Sequence, residues 1–322
     1  FLPSLDGSVF NANDGLNPVV YDDDGAIIDA YFGVGQSDLT IGFAASIFTV
    51  GGSSFLEGYA VINGKDLRSD TILKLLVAHE IGHFFGLDHS QADIDSEESN
   101  SATPFFCSNI DKSSYPAMYP FACRNTLSLH PDDIASITAL YPNALTSTNF
   151  GTLNGRLLDQ SGKPILGANI WAKNTITGET YSVASDYLKQ GTGFYQLLLP
   201  AGNYTLHVNS INTAFNGASG IGPYSFSLDD ASFDCPHPLT ETAYEGSMPG
   251  NPEVITISNG SPATSVDFSL ADVDVSVCPP DPTAISNDGG SSKGQLSLMS
   301  LLLLAVLVLR IRSTVRTAMA SD

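Results

Sequence analysis

Basic side chains are scarce in this sequence: 13 lysines and arginines stand against 34 aspartates and glutamates, for a formal net charge of −21. The deficit is uneven. Residues 293–322 carry Lys293, Arg310, Arg312 and Arg316 against Asp322, a net +3, which leaves −24 on residues 1–292. Such a body repels a phosphate backbone, so nucleic acid is excluded as a partner. It suits a secreted protein and supplies carboxylates for calcium, although a self-repelling surface with no ligand would read the same way. Long apolar runs are also missing, apart from one of 14 residues at Leu296–Leu309. Cysteine is limited to Cys107, Cys123, Cys235 and Cys278. An even count reads as two disulfides formed in an oxidising compartment, one bracketing residues 107–123 and one in the later part of the chain. Four cysteines nonetheless permit three connectivities.

Only six histidines occur in 322 residues, yet three of them fall within "HEIGHFFGLDH" at 79–89. Asp70, following Ser69, can cap a helix running through "TILKLLVAHEIGHFF". Ile72, Leu75, Leu76 and Ile81 allow that helix to be buried. His79 and His83 are four apart, so both imidazoles leave one face, a turn apart, with Glu80 beside them. Gly86 can take the left-handed conformation that ends a helix, and the turn "GLD" then brings His89 round towards the other two. Three neutral nitrogens with no fourth protein ligand describe a catalytic zinc site with an open position. A bare HExxH is a weak signal; Gly86 and His89 at fixed offsets make it a demanding one.

"HEIGHFFGLDHS" resembles the zinc signature of the metzincin metallopeptidases, HExxHxxGxxH, and Ser90 after the third histidine resembles the matrixin branch. "YPAMYPF" is similar to the metzincin Met-turn, with Met118 beneath the metal. "LHPDDIASITALYP" resembles the last helix of the matrixin catalytic domain, with Asp132 and Asp133 at its start. The resemblance covers about residues 55–142. It implies zinc on His79, His83 and His89, Glu80 as general base, and Met118 as a floor that does not ligate. Residues Gly58–Ile62, with Tyr59, Ala60 and Val61, are expected by analogy to form the edge strand that a peptide substrate pairs with. Pro120 and Phe121 are expected in the pocket wall. Two features depart from the family pattern. The interval 90–117 is long, and no histidine precedes His79, so the matrixin structural zinc is not expected. Seventy-eight residues precede the signature, and the chain opens with Phe1, which reads as a processed or truncated product lacking its signal and pro-segments.

The fold expected is α+β: a metzincin-like catalytic domain, a twisted sheet plus the active-site helix, followed by an all-β sandwich. "PVVYDDDGAIIDAYFG", "LTIGFAASIFTVG" and "FLEGYAVING" read as the strands of that sheet. "YDDDG" at 21–25 and the cluster Asp93, Asp95, Glu97 and Glu98 are each a solvated acidic turn or a calcium site. Residues 1–145 form the first domain and 146–150 a linker. Beyond them, "GRLLDQSGKPILGANI" and "GFYQLLLPAGNYTL" resemble the carboxypeptidase regulatory-like, or transthyretin-like, domain, a non-catalytic sandwich expected over 151–272. Trp171, Phe194 and Tyr204 are expected in its core or on strand faces. His130, His207 and His237 have no partners at ligand spacing. A Gly/Ser/Pro-rich linker spans 273–294, a short hydrophobic helix 295–312 and a basic tail 313–322. The apolar run would be about 21 Å long as a helix, short of a hydrocarbon core of about 30 Å. With its glycine pair and basic end it resembles the GlyGly-CTERM sorting signals of Gram-negative bacteria, cleaved at the surface; a plain membrane anchor is the alternative.

The expected activity is therefore that of a secreted or surface zinc endopeptidase acting on protein or peptide substrates, touching the membrane through its tail before processing. The alternative is a surface adhesin or binding protein on an inactive metalloprotease fold.

Overall fold

The computed structural model describes residues 14–48, 55–65, 69–90, 92, 107, 111–119, 122–187, 191–210, 239, 241–247 and 249–270. Strand β1 (Val19–Asp22) is followed by helix α1 (Ala26–Phe32), strand β2 (Gly42–Phe48), strand β3 (Phe55–Asn63) and helix α2 (Asp70–Phe84). The first apolar stretch is thus only half strand. Gly25, at φ 79°, turns the chain after "YDDD", and the next residues wind into α1. That helix buries Ile27 and Ile28 against Val61. Asp22 Oδ2 accepts the Ile28 N–H at 3.0 Å and Asp24 Oδ1 accepts the Ala26 N–H at 2.9 Å, so two of the three aspartates in "YDDDG" cap the helix entry.

The sheet runs in the order β1-β3-β2, with β1 parallel and β2 antiparallel to β3. This corrects the expected edge. Strand β3 is central, with Gly58 to Asn63 buried throughout, and Tyr59, Ala60 and Val61 lie inside the sheet rather than on its rim. A strand covered on both faces reads as a continuous apolar run, which "GYAVI" is. The antiparallel rim among the described residues is β2.

Helix α3 (Pro131–Leu140) closes the first part of the chain, and a single turn, α4 (Thr146–Asn149), occupies most of the stretch expected as a linker. Nine strands then follow: β4 (Gly151–Asp159), β5 (Ala168–Asn174), β6 (Thr180–Ala184), β7 (Phe194–Leu199), β8 (Gly202–Ser210), β9 (Thr242–Ala243), β10 (Ile255–Ile257), β11 (Thr264–Ser265) and β12 (Phe268–Leu270). One sheet has the order β10-β8-β5-β6, with β9 also on β8; the other has β11-β4-β12, with β7 also on β4. Alternate residues fill the space between them, including Leu153, Leu157, Ile170, Ala172, Tyr195, Leu197, Leu199, Tyr204 and Leu206. Trp171 and Tyr204 are buried in strands β5 and β8, and Phe194 is half-buried on β7, a strand-face position. Gly155 allows the Val266 carbonyl to approach β4 more closely than any side chain would permit.

The two parts share packing. Helix α3 lies against β6 and β7, and its Ala135 belongs to the same buried cluster as the sandwich core. No helix among the described residues is long and apolar enough to cross a membrane. The tail 295–312, Cys235, Cys278, His237, Pro120, Phe121 and the acidic cluster at 93–98 lie outside the described residues.

Candidate metal centre

Helix α2 positions two of the three clustered histidines. Its N-cap is Ser69, whose side chain accepts the Ile72 N–H; Asp70 is the first helical residue and faces the positive helix end. One face is buried, through Leu76, Glu80 and His83, while Ile72 is 46% exposed, so the helix lies against the sheet and is not surrounded. At the other end Gly86 takes φ 91°. The Gly86 N–H donates to the His83 carbonyl at 2.8 Å and the Leu87 N–H to that of Gly82 at 3.0 Å, the paired bonds of a Schellman cap. That reversal returns His89 to the helix face.

Two of the imidazoles are oriented by backbone carbonyls. His79 Nδ1 lies 2.6 Å from the Ala117 oxygen and His83 Nδ1 2.8 Å from the Leu87 oxygen. A carbonyl can only accept, so both Nδ1 atoms carry the proton and both Nε2 lone pairs are free. His79 Nε2 sits 3.2 Å from His83 Nε2 and 3.2 Å from His89 Nε2, and the ligand nitrogens of all three lie within 4.8 Å of one another. Nitrogens about 2.0–2.1 Å from a tetrahedral zinc would stand about 3.3–3.4 Å apart, a spacing that the two 3.2 Å pairs match and to which a small turn of the third ring would bring the set. Burial lowers the pKa of all three; for His83 it falls to about 3, with neighbouring His79 adding to the effect. The imidazoles are therefore neutral, as ligands must be.

Glu80 is buried, and its Oε2 has no hydrogen-bond partner. Burial raises its pKa to about 8. A buried carboxyl with an unsatisfied oxygen is costly, and it lies on the helix that presents two of the three neutral imidazoles. Strand β2 passes over it at Gly42, where a Cβ would lie 2.7 Å from Glu80 Oε1 and 3.0 Å from the Val61 carbonyl oxygen.

Met118 lies beneath this helix, 3% exposed, with its sulfur where a side chain at residue 82 would stand, so Gly82 opens the floor that Met118 fills. Asp133, at the start of α3, fixes the turn. Its Oδ1 accepts the Met118 N–H at 3.0 Å, and its Oδ2 accepts the N–H groups of Ala117 and His130 at 2.8 and 2.9 Å. His130 caps α3, its Nδ1 accepting the Asp132 N–H at 3.2 Å. Tyr119 is buried against Tyr115, with ring centroids 4.9 Å apart. Cys107 and Cys123 are bridged, closing the segment that carries Met118.

Behind His89, the Ser90 N–H donates to the Met118 carbonyl at 2.9 Å, and the Ser90 hydroxyl donates to Asp132 Oδ2 at 2.6 Å. The other oxygen of Asp132 accepts the Ser182 N–H of strand β6 at 2.8 Å. Gly42, Gly82 and Ser182 were not legible as site residues; glycines at a close approach and a backbone donor leave no motif.

The structure thus brings His79, Glu80, His83, His89 and Met118 together, and it leaves Tyr59, Ala60 and Val61 inside the sheet. Residues 152–218 match the carboxypeptidase regulatory-like domain family. The regulatory-like match accounts for part of the sandwich and leaves the histidine site to be read on its own geometry. Among solved structures, a 5-hydroxyisourate hydrolase from Klebsiella pneumoniae is 18% identical over 38% of this chain and 84% of its own, at a TM-score of 0.21. The major pilin subunit BcpA of Bacillus cereus is 16% identical over 39% of this chain and 30% of its own, at a TM-score of 0.20. No curated protein sequence matches the chain.

Proposed function

We propose that this chain is a zinc-dependent endopeptidase of the metzincin type, secreted or delivered to the cell surface, with a regulatory-like sandwich as its accessory domain. The observation that carries this reading is the convergence of three Nε2 atoms, two of them on imidazoles oriented by backbone carbonyls, on a helix that also carries the buried Glu80, whose Oε2 has no hydrogen-bond partner. His79, His83 and His89 would hold a zinc ion, which when bound would supply Lewis-acid chemistry for peptide hydrolysis. The chain's own groups do the rest. Glu80 takes the proton of the attacking water and delivers it to the leaving amine. Its raised pKa belongs to the carboxyl alone; an adjacent cation draws it back towards the ionised base. Strand β2, the antiparallel rim among the described residues, is the strand beside which an extended peptide would add, and Gly42 keeps its surface low where it crosses Glu80.

The test uses the full chain purified with zinc, elemental analysis and a peptide library. One zinc per chain is expected, with cleavage of library peptides. Glu80→Ala should keep the zinc and lose at least about a hundredfold in turnover, the usual share of a general base. A wild-type chain that holds zinc and cuts nothing would refute the proposal and favour the binding-protein alternative.

A further inference from the structure

We infer that Asp132 is a positioning residue through which the regulatory-like sandwich holds the chain segment behind the third histidine ligand; the inference rests on the zinc reading of that cluster. Its carboxylate is 3% exposed and reaches in two directions. One oxygen accepts the Ser90 hydroxyl at 2.6 Å, one residue beyond His89, and the other accepts the Ser182 N–H at 2.8 Å.

Both contacts are directional. Strand β6 ends its sheet among the described residues, and Ser182 pairs with Trp171 on the inner side. Its N–H, donated to Asp132, therefore points off the sheet edge, where an unpaired donor invites alternative pairing. Ser90 Oγ already accepts the Ala92 N–H at 3.0 Å, so its own hydrogen needs an acceptor, which Asp132 supplies. A cavity of about 250 Å³ lies alongside, lined by His89, Ser90, Ala135, Ser182 and Leu198 among others. Ser90 therefore borders open space on one side, and these directional bonds fix its orientation there. His79 and His83 differ: both stand on α2 and are backed by carbonyls of the catalytic domain. Of the three ligands, His89 is the one followed directly by a residue tied through Asp132 to the second domain.

The two halves separate by mutation. Asp132→Ala removes both acceptors. Asp132→Asn keeps an oxygen for the Ser182 N–H but turns an amide donor towards Ser90 Oγ, whose hydrogen then has no acceptor. Ser90→Ala removes that half alone. Each variant is made in the full chain, and two quantities are read: amide exchange at Ser90 and Ser182, and the rate at which bound zinc is lost to excess chelator. Asp132→Ala should speed exchange at both amides and zinc loss by on the order of tenfold or more, the usual effect of groups that orient metal ligands. Asp132→Asn and Ser90→Ala should speed zinc loss comparably while Ser182 keeps its protection, and they carry the test if Asp132→Ala does not fold. Zinc loss at the wild-type rate in Ser90→Ala and Asp132→Asn would overturn the inference. So would an even loss of protection over the whole chain, which marks a fold residue. A wild-type chain that binds no zinc would defeat the peptidase reading, and exchange at Ser90 and Ser182 would still decide whether Asp132 joins the domains.

Discussion

On the peptidase reading, opening the Cys107–Cys123 bridge should weaken the wall of the substrate pocket while leaving the zinc in place. The two cysteines are 16 residues apart, and the loop they close contains Lys112–Ser114, Tyr115 and Met118. Cross-linking a loop of that length removes roughly 3 kcal/mol of chain entropy from the unfolded state. For a folding unit of about 150 residues that corresponds to roughly 6–12 °C in Tm. The local losses fall on one side of the turn. Cys123 packs with Tyr115 and Tyr119. Arg124 beside it donates to the carbonyls of Ser113 and Tyr115 at 2.5 and 2.6 Å, and to that of Ser128. The Met118 backbone is held separately, by Asp133 and by the Ser90 N–H, and does not depend on the bridge. Cys107→Ser/Cys123→Ser should therefore melt several degrees lower by calorimetry and cleave peptides less efficiently, with zinc content unchanged by elemental analysis. Zinc lost in step with the bridge would refute the separation of wall from floor. Free thiols at both positions in the oxidised, alkylated wild-type protein would remove the premise.

Two further outcomes are expected. Gly42→Val pushes a side chain against Glu80 Oε1 and the Val61 carbonyl, so kcat/KM should fall on the order of a hundredfold while zinc stays bound; full activity would show that β2 does not shape the catalytic carboxyl. Burial lowers the pKa of His130 from 6.5 to about 4, so the fold favours its neutral form. Its contribution is complete above the unfolded value and is lost as pH falls from about 6.5 to about 4, when the protonated Nδ1 can no longer accept the Asp132 N–H. Asp132, pushed up to about 7 by burial, acts in the opposite sense, so the measurement is the difference between wild type and His130→Asn. Chemical denaturation should find that difference shrinking as pH drops through this window; a difference independent of pH would mean His130 caps α3 in either form.

What could be read in advance follows from how local each signal is. The histidine cluster was legible because helical spacing alone aligns His79 with His83, and a single left-handed glycine returns His89. The sandwich was legible because alternate residues of β4, β7 and β8 face one core, a period of two that survives without knowledge of partners. Strand order carries no such local mark, and analogy set it wrongly. "GYAVI" is apolar without alternation, which suits a strand covered on both faces, whereas Gly42 to Ile47 of β2 are half-buried. Coverage of both faces is what an interior strand of a layered sheet meets, and pairing on both edges, which only the fold reveals, makes β3 central. The link from Asp132 to Ser182 had no corrective evidence at all. It spans 50 residues, joins a side chain to a backbone N–H, and crosses what composition marks as a domain boundary. Texture locates where one core ends and another begins; it is blind to a single carboxylate that serves both. The regulatory-like domain is thereby more than an appendage in this fold, because the segment after the third histidine is fastened to it.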